Sequence, residues 1–343
     1  SQPPPPPRFT AQPARVAGDE PITVTAAPGL APRLEHMVTA WLEHSGAGGA
    51  IVGIDGPAVR WKGAGGHRPD TGAPVTVTDR IELASLTKLF TASLVHRFAE
   101  AGHIDLAAPL PPLRALPDFP YELGITVAQL LDHSSGLVNY LDTDLYAFDP
   151  HLIDGPVTAV MAAAAHPLAA DPGADYVYSS TNFLILGLLL EDVTGRPFGD
   201  LLREELFGPL KLHGTLHLAP APGWPRGATS GIETSIDDLL TAGTAILRDH
   251  VGLSAKAFAH MADVDPSYGF GPGTFGFCPC RIDAEGNPKF FAIGYYGATT
   301  LLGHVPTLDL TVAVDLVDSL GTNGGYDAVT MLFEMIEELV RSS

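Results

Sequence analysis

The chain has 343 residues, 45% of them apolar and 17% charged, and carries a formal net charge of −20, a size that accommodates one large domain or two lobes sharing a core. So acidic a balance argues against nucleic acid and against anionic membrane surfaces as partners. The densest apolar run, Phe183 to Leu190, falls short of the ~20 residues a bilayer span needs, and the two cysteines, Cys278 and Cys280, read as loop thiols rather than a disulfide framework or a complete zinc site.

Ser1 to about Pro28 opens with five prolines in a row and stays rich in Pro, Ala and Gln; a segment of that kind buries little and is expected to be an extended or disordered arm. Leu30, Leu34, Met37, Val38, Trp41 and Leu42 fall on one helical face, so a helix is predicted over Leu30 to His44. Ala50 to Asp55 and Ala58 to Lys62, joined at Gly56-Pro57, read as a hairpin. Gly63 to Thr78 is expected to be loop, and Ile81 to Ala84 a lead-in too short for a helix. No leader is present at Ser1; the reading leans to the cytoplasm, with export open because a cleaved leader would be absent.

The stretch that follows carries the first candidate chemistry. Leu86, Leu89, Phe90, Leu94 and Phe98 recur at helical spacing, the stripe of a buried helix. With a helix start near Ser85, Lys88 three residues on lies on the same face. A serine hydroxyl becomes a good nucleophile when a neighbouring base takes its proton, and a lysine is such a base once burial or a helix N-terminus lowers its pKa. By itself a Ser-x-x-Lys quartet is equally an N-cap followed by a surface lysine, so the rest of the chain decides.

A Pro-rich crossing, Ala107 to Pro120, leads to Ile125 to Leu137, a short helix predicted to end at Gly136. His133 near its end reads as a C-terminal histidine bonding the backbone rather than a catalytic one. Val157 to Ala164 is helical, Asp171-Pro172-Gly173 a turn, and a helix after Tyr178-Ser179-Ser180 runs to about Thr194. Tyr176 is expected to pack inward beside Tyr178. Further helices are predicted over Phe198 to Glu205 and Thr234 to Arg248, the latter with Ser235 as N-cap. Phe290 to Ile293, Thr299 to Leu302 and Leu310 to Val317 have strand composition, and Tyr326 to Val340 closes the chain as a helix. His213 and His217 lie four apart, but Gly214 and Thr215 between them read as a turn, so no metal is expected. The pattern predicts an α+β fold: an antiparallel sheet flanked by helices, plus an all-helical lobe. The α/β lobe is placed at roughly 29–105 and 220–343 and the helical lobe at roughly 106–219.

Five ordered stretches resemble the serine β-lactamase and penicillin-binding-protein clan, most closely its class C-like branch of D,D-peptidases, esterases and transacylases. They are Leu83-Ala84-Ser85-Leu86-Thr87-Lys88, Ile125 to Leu137, Pro172 to Ser180, Gly231 to Leu239, and Gly294-Tyr295-Tyr296-Gly297. The resemblance covers roughly Leu30 to Leu339 and implies a β-lactamase/transpeptidase-like fold. It implies Ser85 as nucleophile, with Lys88 and Tyr178 as the proton-relay pair, and an oxyanion hole from the N–H groups of Ser85 and Ala298. Ser180, Tyr295, Tyr296, Gly297 and Ala298 would line the substrate site, with no cofactor.

Two departures bear on substrate. The second motif, normally Tyr-x-Asn, has Ser180 in place of Asn, and Asn182 on the following helix is expected to point elsewhere. The third motif, normally offering Lys or His, offers Tyr295, which removes a positive charge that would hold a substrate carboxylate. His304 or Arg281 would supply charge there only if folded near the cleft, and each is read as a surface residue. The implied activity is therefore an acyl-Ser85 hydrolase or transacylase taking a small ester or amide as acyl donor, with water, an amine or an alcohol as acceptor. The alternatives are a secreted D,D-carboxypeptidase or β-lactamase, and a non-catalytic binder or sensor with the same fold.

Overall fold

The structure is a computed structural model that describes residues 29–57, 59–262, 276–277, 290–296, 298–305 and 308–317, with the stretches 276–277, 290–296 and 298–299 described by their backbone. The Pro-rich arm, Cys278, Cys280, Arg281, Gly297 and the closing helix expected over Tyr326 to Val340 lie outside the described residues.

Helix α1 (Leu30–Ser45) leads into strands β1 (Gly49–Asp55) and β2 (Arg60–Gly66), the predicted hairpin, paired antiparallel from Gly49↔Gly66 to Asp55↔Arg60. β2 therefore takes in Gly63 to Gly66, where a loop is expected from the sequence: Gly63, Gly65 and Gly66 carry no side chain to give a strand signal, and β1 supplies the pairing. Late in the chain β6 (Gly276–Phe277), β7 (Phe290–Tyr296), β8 (Ala298–Val305) and β9 (Leu310–Leu316) complete a six-stranded antiparallel sheet in the order β2-β1-β9-β8-β7-β6.

Alternation along the strands sends side chains to opposite faces. Ala50, Val52 and Ile54 of β1 join Val312, Val314 and Leu316 of β9 in a cluster closed by Leu30, Leu34, Val38 and Trp41 of α1. Ile51 and Ala313 face the other way, into the larger core. There α8 (Ile236–Gly243), capped by the Ser235 hydroxyl accepting from the Asp238 N–H as predicted, lies on the sheet. A Cβ at Gly53 would come within 2.7 Å of Ile236 and Leu240, so that glycine sets how closely the helix approaches.

Between these layers the chain makes a short strand β3 (Ile81–Glu82), a 3-10 turn (Ala84–Leu86) and helix α2 (Thr87–Glu100). The lead-in expected at Ile81 to Ala84 is thus partly a strand: it pairs with β5 (Ile232–Thr234), which also pairs with β4 (Leu216–His217). Thr234 accordingly belongs to β5 rather than to the helix predicted from it, and that helix becomes α8 with a π-helical continuation over Thr244–Arg248. The remaining helices are α3 (Val127–Leu131), α4 (Asp144–Phe148), α5 (Pro156–Ala164), α6 (Ser180–Thr194), α7 (Phe198–Leu202) and α9 (Ala255–Met261). α7 passes into a π-helical turn over Arg203–Phe207, so the predicted Phe198 to Glu205 helix changes pitch partway.

α2 is buried from Thr87 to Phe98 and α6 from Ser180 to Leu190; the two pack together in one core. Burial all round explains why α6 reads as a nearly continuous apolar run. At the far end of α2, Arg97 pairs with Glu205 at 2.9 Å, both side chains nearly solvent-free, and Arg196 reaches the same carboxylate at 3.0 Å. Removing one partner of a buried pair leaves the other charge unpaired. Glu205→Ala should therefore lower unfolding free energy by about 3 kcal/mol; urea denaturation reads it, and a loss under about 1 kcal/mol would show that Arg97 finds compensation.

Candidate active site

Lys88, three residues on in the chain, and Tyr178, far beyond it, both meet the hydroxyl oxygen of Ser85. Ser85 sits in the 3-10 turn that feeds α2, so its amide lies in the first turn of a helical run, where N–H groups lack an intrahelical acceptor. The preceding Ala84 has φ +44°, a left-handed backbone that costs a non-glycine residue on the order of 1–3 kcal/mol. That twist turns the chain from β3 into α2 within a few residues. The Lys88 ammonium nitrogen is 2.8 Å from Ser85 Oγ, and the Tyr178 hydroxyl oxygen is 2.8 Å from the same atom.

Lys88 is 2% exposed and also donates a hydrogen bond to the Thr229 carbonyl at 3.3 Å. Burial lowers its pKa, and attraction to the Tyr178 oxygen opposes that fall. Tyr178 is pushed up by the enclosure of its hydroxyl end, yet the charge of Lys88 and hydrogen bonds from Lys88, Ser85 and Ser180 outweigh this and hold it below the ordinary phenol value. Its ring is 39% exposed, facing the cleft. The lysine charge thus favours the deprotonated tyrosine while the tyrosine oxygen favours the protonated lysine, and the pair titrates as a unit.

What fixes Tyr178 is a buried polar network. His133 lies just past α3, which ends at Leu131 rather than at Gly136, because His133 itself takes the left-handed conformation at φ +60°. Its carbonyl accepts from the Val177 N–H at 2.8 Å and its Nδ1 accepts from the Ser179 N–H at 3.2 Å. The backbone bond expected of this histidine is therefore present, but it spans to the tyrosine segment instead of closing a helix. The His133 ring packs on the Tyr178 ring with centroids 4.6 Å apart. Asn182 points away from Ser85: its amide meets His133 Nδ1 at 3.4 Å and its carbonyl oxygen accepts from the Ser135 hydroxyl at 2.7 Å. Tyr176, expected to pack inward, is 38% exposed and meets the edge of the His133 ring with centroids 5.7 Å apart, so it flanks the histidine rather than entering the core.

Ser85 and Tyr178 open into a cavity of about 100 Å³ lined by Glu82, Ala84, Tyr140, Leu141, Ser180, Trp224, Thr229 and Ser230. Of the substrate-side residues named from sequence, Ser180 is there, its N–H donated to Asn139 Oδ1 at 3.3 Å. The backbone of Tyr295 and Tyr296 lies on β7, which runs beside the 3-10 turn carrying Ser85, and Ala298 opens β8 opposite Tyr296. His304, read as a surface residue, is buried on β8 with Nδ1 3.2 Å from the Thr311 hydroxyl. Tyr140, Trp224, Thr229 and Glu82 escaped the sequence reading; only Glu82, three residues before Ser85, stood in a stretch already singled out.

A serine hydroxyl between a buried amine and a phenol, on a helix start covered by an antiparallel sheet, defines a serine-hydrolase type of protein. The Beta-lactamase family model matches residues 30–277, and the chain belongs to that family. It is 32% identical to Penicillin-binding protein 4 of Amycolatopsis lactamdurans over 87% of this chain and 86% of that protein. It is 28% identical to a D-aminopeptidase of Gluconobacter oxydans (strain 621H), over 60% of this chain but 39% of that longer protein. Among solved structures, a D-stereospecific amidohydrolase from Streptomyces sp. superposes with a TM-score of 0.69 at 24% identity, over 88% of this chain and 98% of the other; at that identity the likeness speaks for the fold.

Buried neutral histidine makes a further expectation. Burial, then the nearby Lys88 charge, pushes His133 down from 6.5 to about 3. Its pKa is depressed on folding, so the stability it contributes is present above the unfolded value and is lost as pH falls from about 6.5 towards 3. Between pH 7 and 5 that loss is about 2 kcal/mol from this one group. His133→Asn, which tolerates the left-handed backbone, should show a smaller loss of unfolding free energy over that interval than the parent, measured by urea denaturation at both pH values.

Proposed function

We propose that the chain is a serine acyl-enzyme hydrolase or acyltransferase acting on a small ester or amide. The observation that carries this reading is the equal 2.8 Å approach of Lys88 Nζ and Tyr178 Oη to Ser85 Oγ. Ser85 Oγ attacks the carbonyl carbon while its proton passes to the Lys88–Tyr178 pair. The tetrahedral oxyanion collapses, the C–O or C–N bond breaks, and the pair returns the proton to the leaving alcohol or amine. Backbone N–H groups of Ser85 and Ala298 are the proposed oxyanion donors. Water, or an amine or alcohol, then attacks acyl-Ser85 by the reverse proton path.

The cavity of about 100 Å³, with Tyr140, Tyr178 and Trp224 on its walls, suits a small acyl group. Tyr295 in place of a cationic third-motif residue supports a donor without a carboxylate. A second reading, recognition of penicillins or D,D-peptides, is favoured by the 32% identity to a penicillin-binding protein over most of both chains. Both readings use the same nucleophile.

Intact-protein mass after exposure to aryl esters, a peptide methyl ester and a penicillin distinguishes them. An adduct from the esters, absent in Ser85→Ala, is the expected result, with Tyr178→Phe slowing its formation at least 100-fold. An adduct from penicillin alone would favour the second reading, and no adduct from any donor would leave the non-catalytic binder.

A further inference from the structure

Among the described residues, the cavity beside Ser85 has one charged wall residue and one buried hydroxyl without a hydrogen-bond partner, and neither has a part in the acyl-transfer steps described above. The charged residue is Glu82, exposed on β3 and lining the cavity. It stands directly across from Glu233 of β5, and opposite residues of paired strands share a face. Arg80, two residues before Glu82, sits on that same face and commits its guanidinium to Glu233 at 3.0 Å and to the Gly214 carbonyl. Of these three charges one positive faces two negative, so the face keeps an unbalanced carboxylate, and Glu82 is the one at the cavity. Among the described residues Lys88 is the cation closest in sequence on the other side, and it is engaged with Ser85 and the Thr229 carbonyl.

The hydroxyl is that of Thr229, 2% exposed, lining the same cavity, and without a hydrogen-bond partner among the described residues. A buried hydroxyl left unpaired costs free energy that a ligand heteroatom relieves. An ammonium group is donor-only and needs acceptors; a carboxylate and a hydroxyl oxygen are what this wall supplies, whereas a substrate carboxylate would meet repulsion from Glu82.

We propose that Glu82 makes this a site for acyl donors bearing a protonated amine beside the scissile carbonyl, as in esters and amides of small amino acids, with Thr229 Oγ1 as an additional acceptor. The inference rests on the acyl-Ser85 reading and narrows it. Acylation of Ser85 by p-nitrophenyl esters of D- and L-alanine is compared with acylation by the isobutyrate ester, in which a methyl group replaces the ammonium at nearly constant shape. In Glu82→Gln the ratio of the preferred alanine ester's rate to the isobutyrate rate should fall about tenfold, and in the parent that ratio should shrink as salt is raised. A ratio the same in both proteins would overturn the role of Glu82. Should no ester acylate Ser85, the acyl-enzyme reading fails on its own, and binding still decides this one. Alaninamide should raise the melting temperature of Ser85→Ala more than that of Ser85→Ala with Glu82→Gln, and equal shifts would overturn it.

Discussion

The hydrogen-bonded cluster of Ser85, Lys88 and Tyr178 is the arrangement to which the surrounding structure is subordinate, because it joins two neighbouring residues to a third far along the chain. Ser85 and Lys88 are one turn apart on the start of α2, while Tyr178 is 93 residues on, in an extended segment before α6. An amine buried to 2% exposure is costly when charged. It is tolerable here because a serine oxygen, a carbonyl and a phenol oxygen surround it. The same burial that strains the lysine lowers its pKa, as the proposed role of base requires, so stability and the proposed reactivity rest on one feature.

Holding the tyrosine in place is the task of residues that do not touch Ser85. His133, Asn182 and Ser135 form a chain of buried hydrogen bonds that fixes the backbone on both sides of Tyr178. Gly136, with φ +74°, lets the Ser134–Leu137 loop pass so close to Ala170 that an added Cβ would lie on its carbonyl oxygen. The loop in turn accepts the Gly173 and Ala169 N–H groups, which carries the chain to Tyr178 at a fixed depth. On the opposite side the six-stranded sheet presents β7 to the serine turn, so Ser85 lies between that strand and the buried helices α2 and α6.

Much of this was legible in the sequence because it rests on local periodicity. The hairpin at Gly56-Pro57, α1, α6 and the late strands follow from alternation or 3.6-residue spacing, and Ser85, Lys88 and Tyr178 follow from ordered motifs. What escaped depends on partners far along the chain. Two residues, Ile81 and Glu82, form a strand only because Ile232 to Thr234 lies beside them. Trp224 and Thr229 belong to a loop whose composition carries no chemical signal until Thr91 and Lys88 donate to the Ala228 and Thr229 carbonyls. His133 was visible, but its left-handed backbone, which ends α3 early and sends its ring to Tyr178, has no signature in a helix-forming stretch. Tyr176 was misplaced because both tyrosines flank the His133 ring, a contact supplied from far along the chain, and both stay partly exposed.

The central claim is that Lys88 and Tyr178 act together as the base for Ser85, and the pH dependence of a single acylation event tests it most directly. With a neutral aryl ester in single turnover, the account predicts that acylation rises with pH through an inflection below the ordinary range of lysine and of tyrosine, 10.5 and 10.0, and that Tyr178→Phe displaces this inflection, since the two titrations are coupled. An inflection at an unperturbed lysine value, or a profile indifferent to Tyr178→Phe, would contradict it.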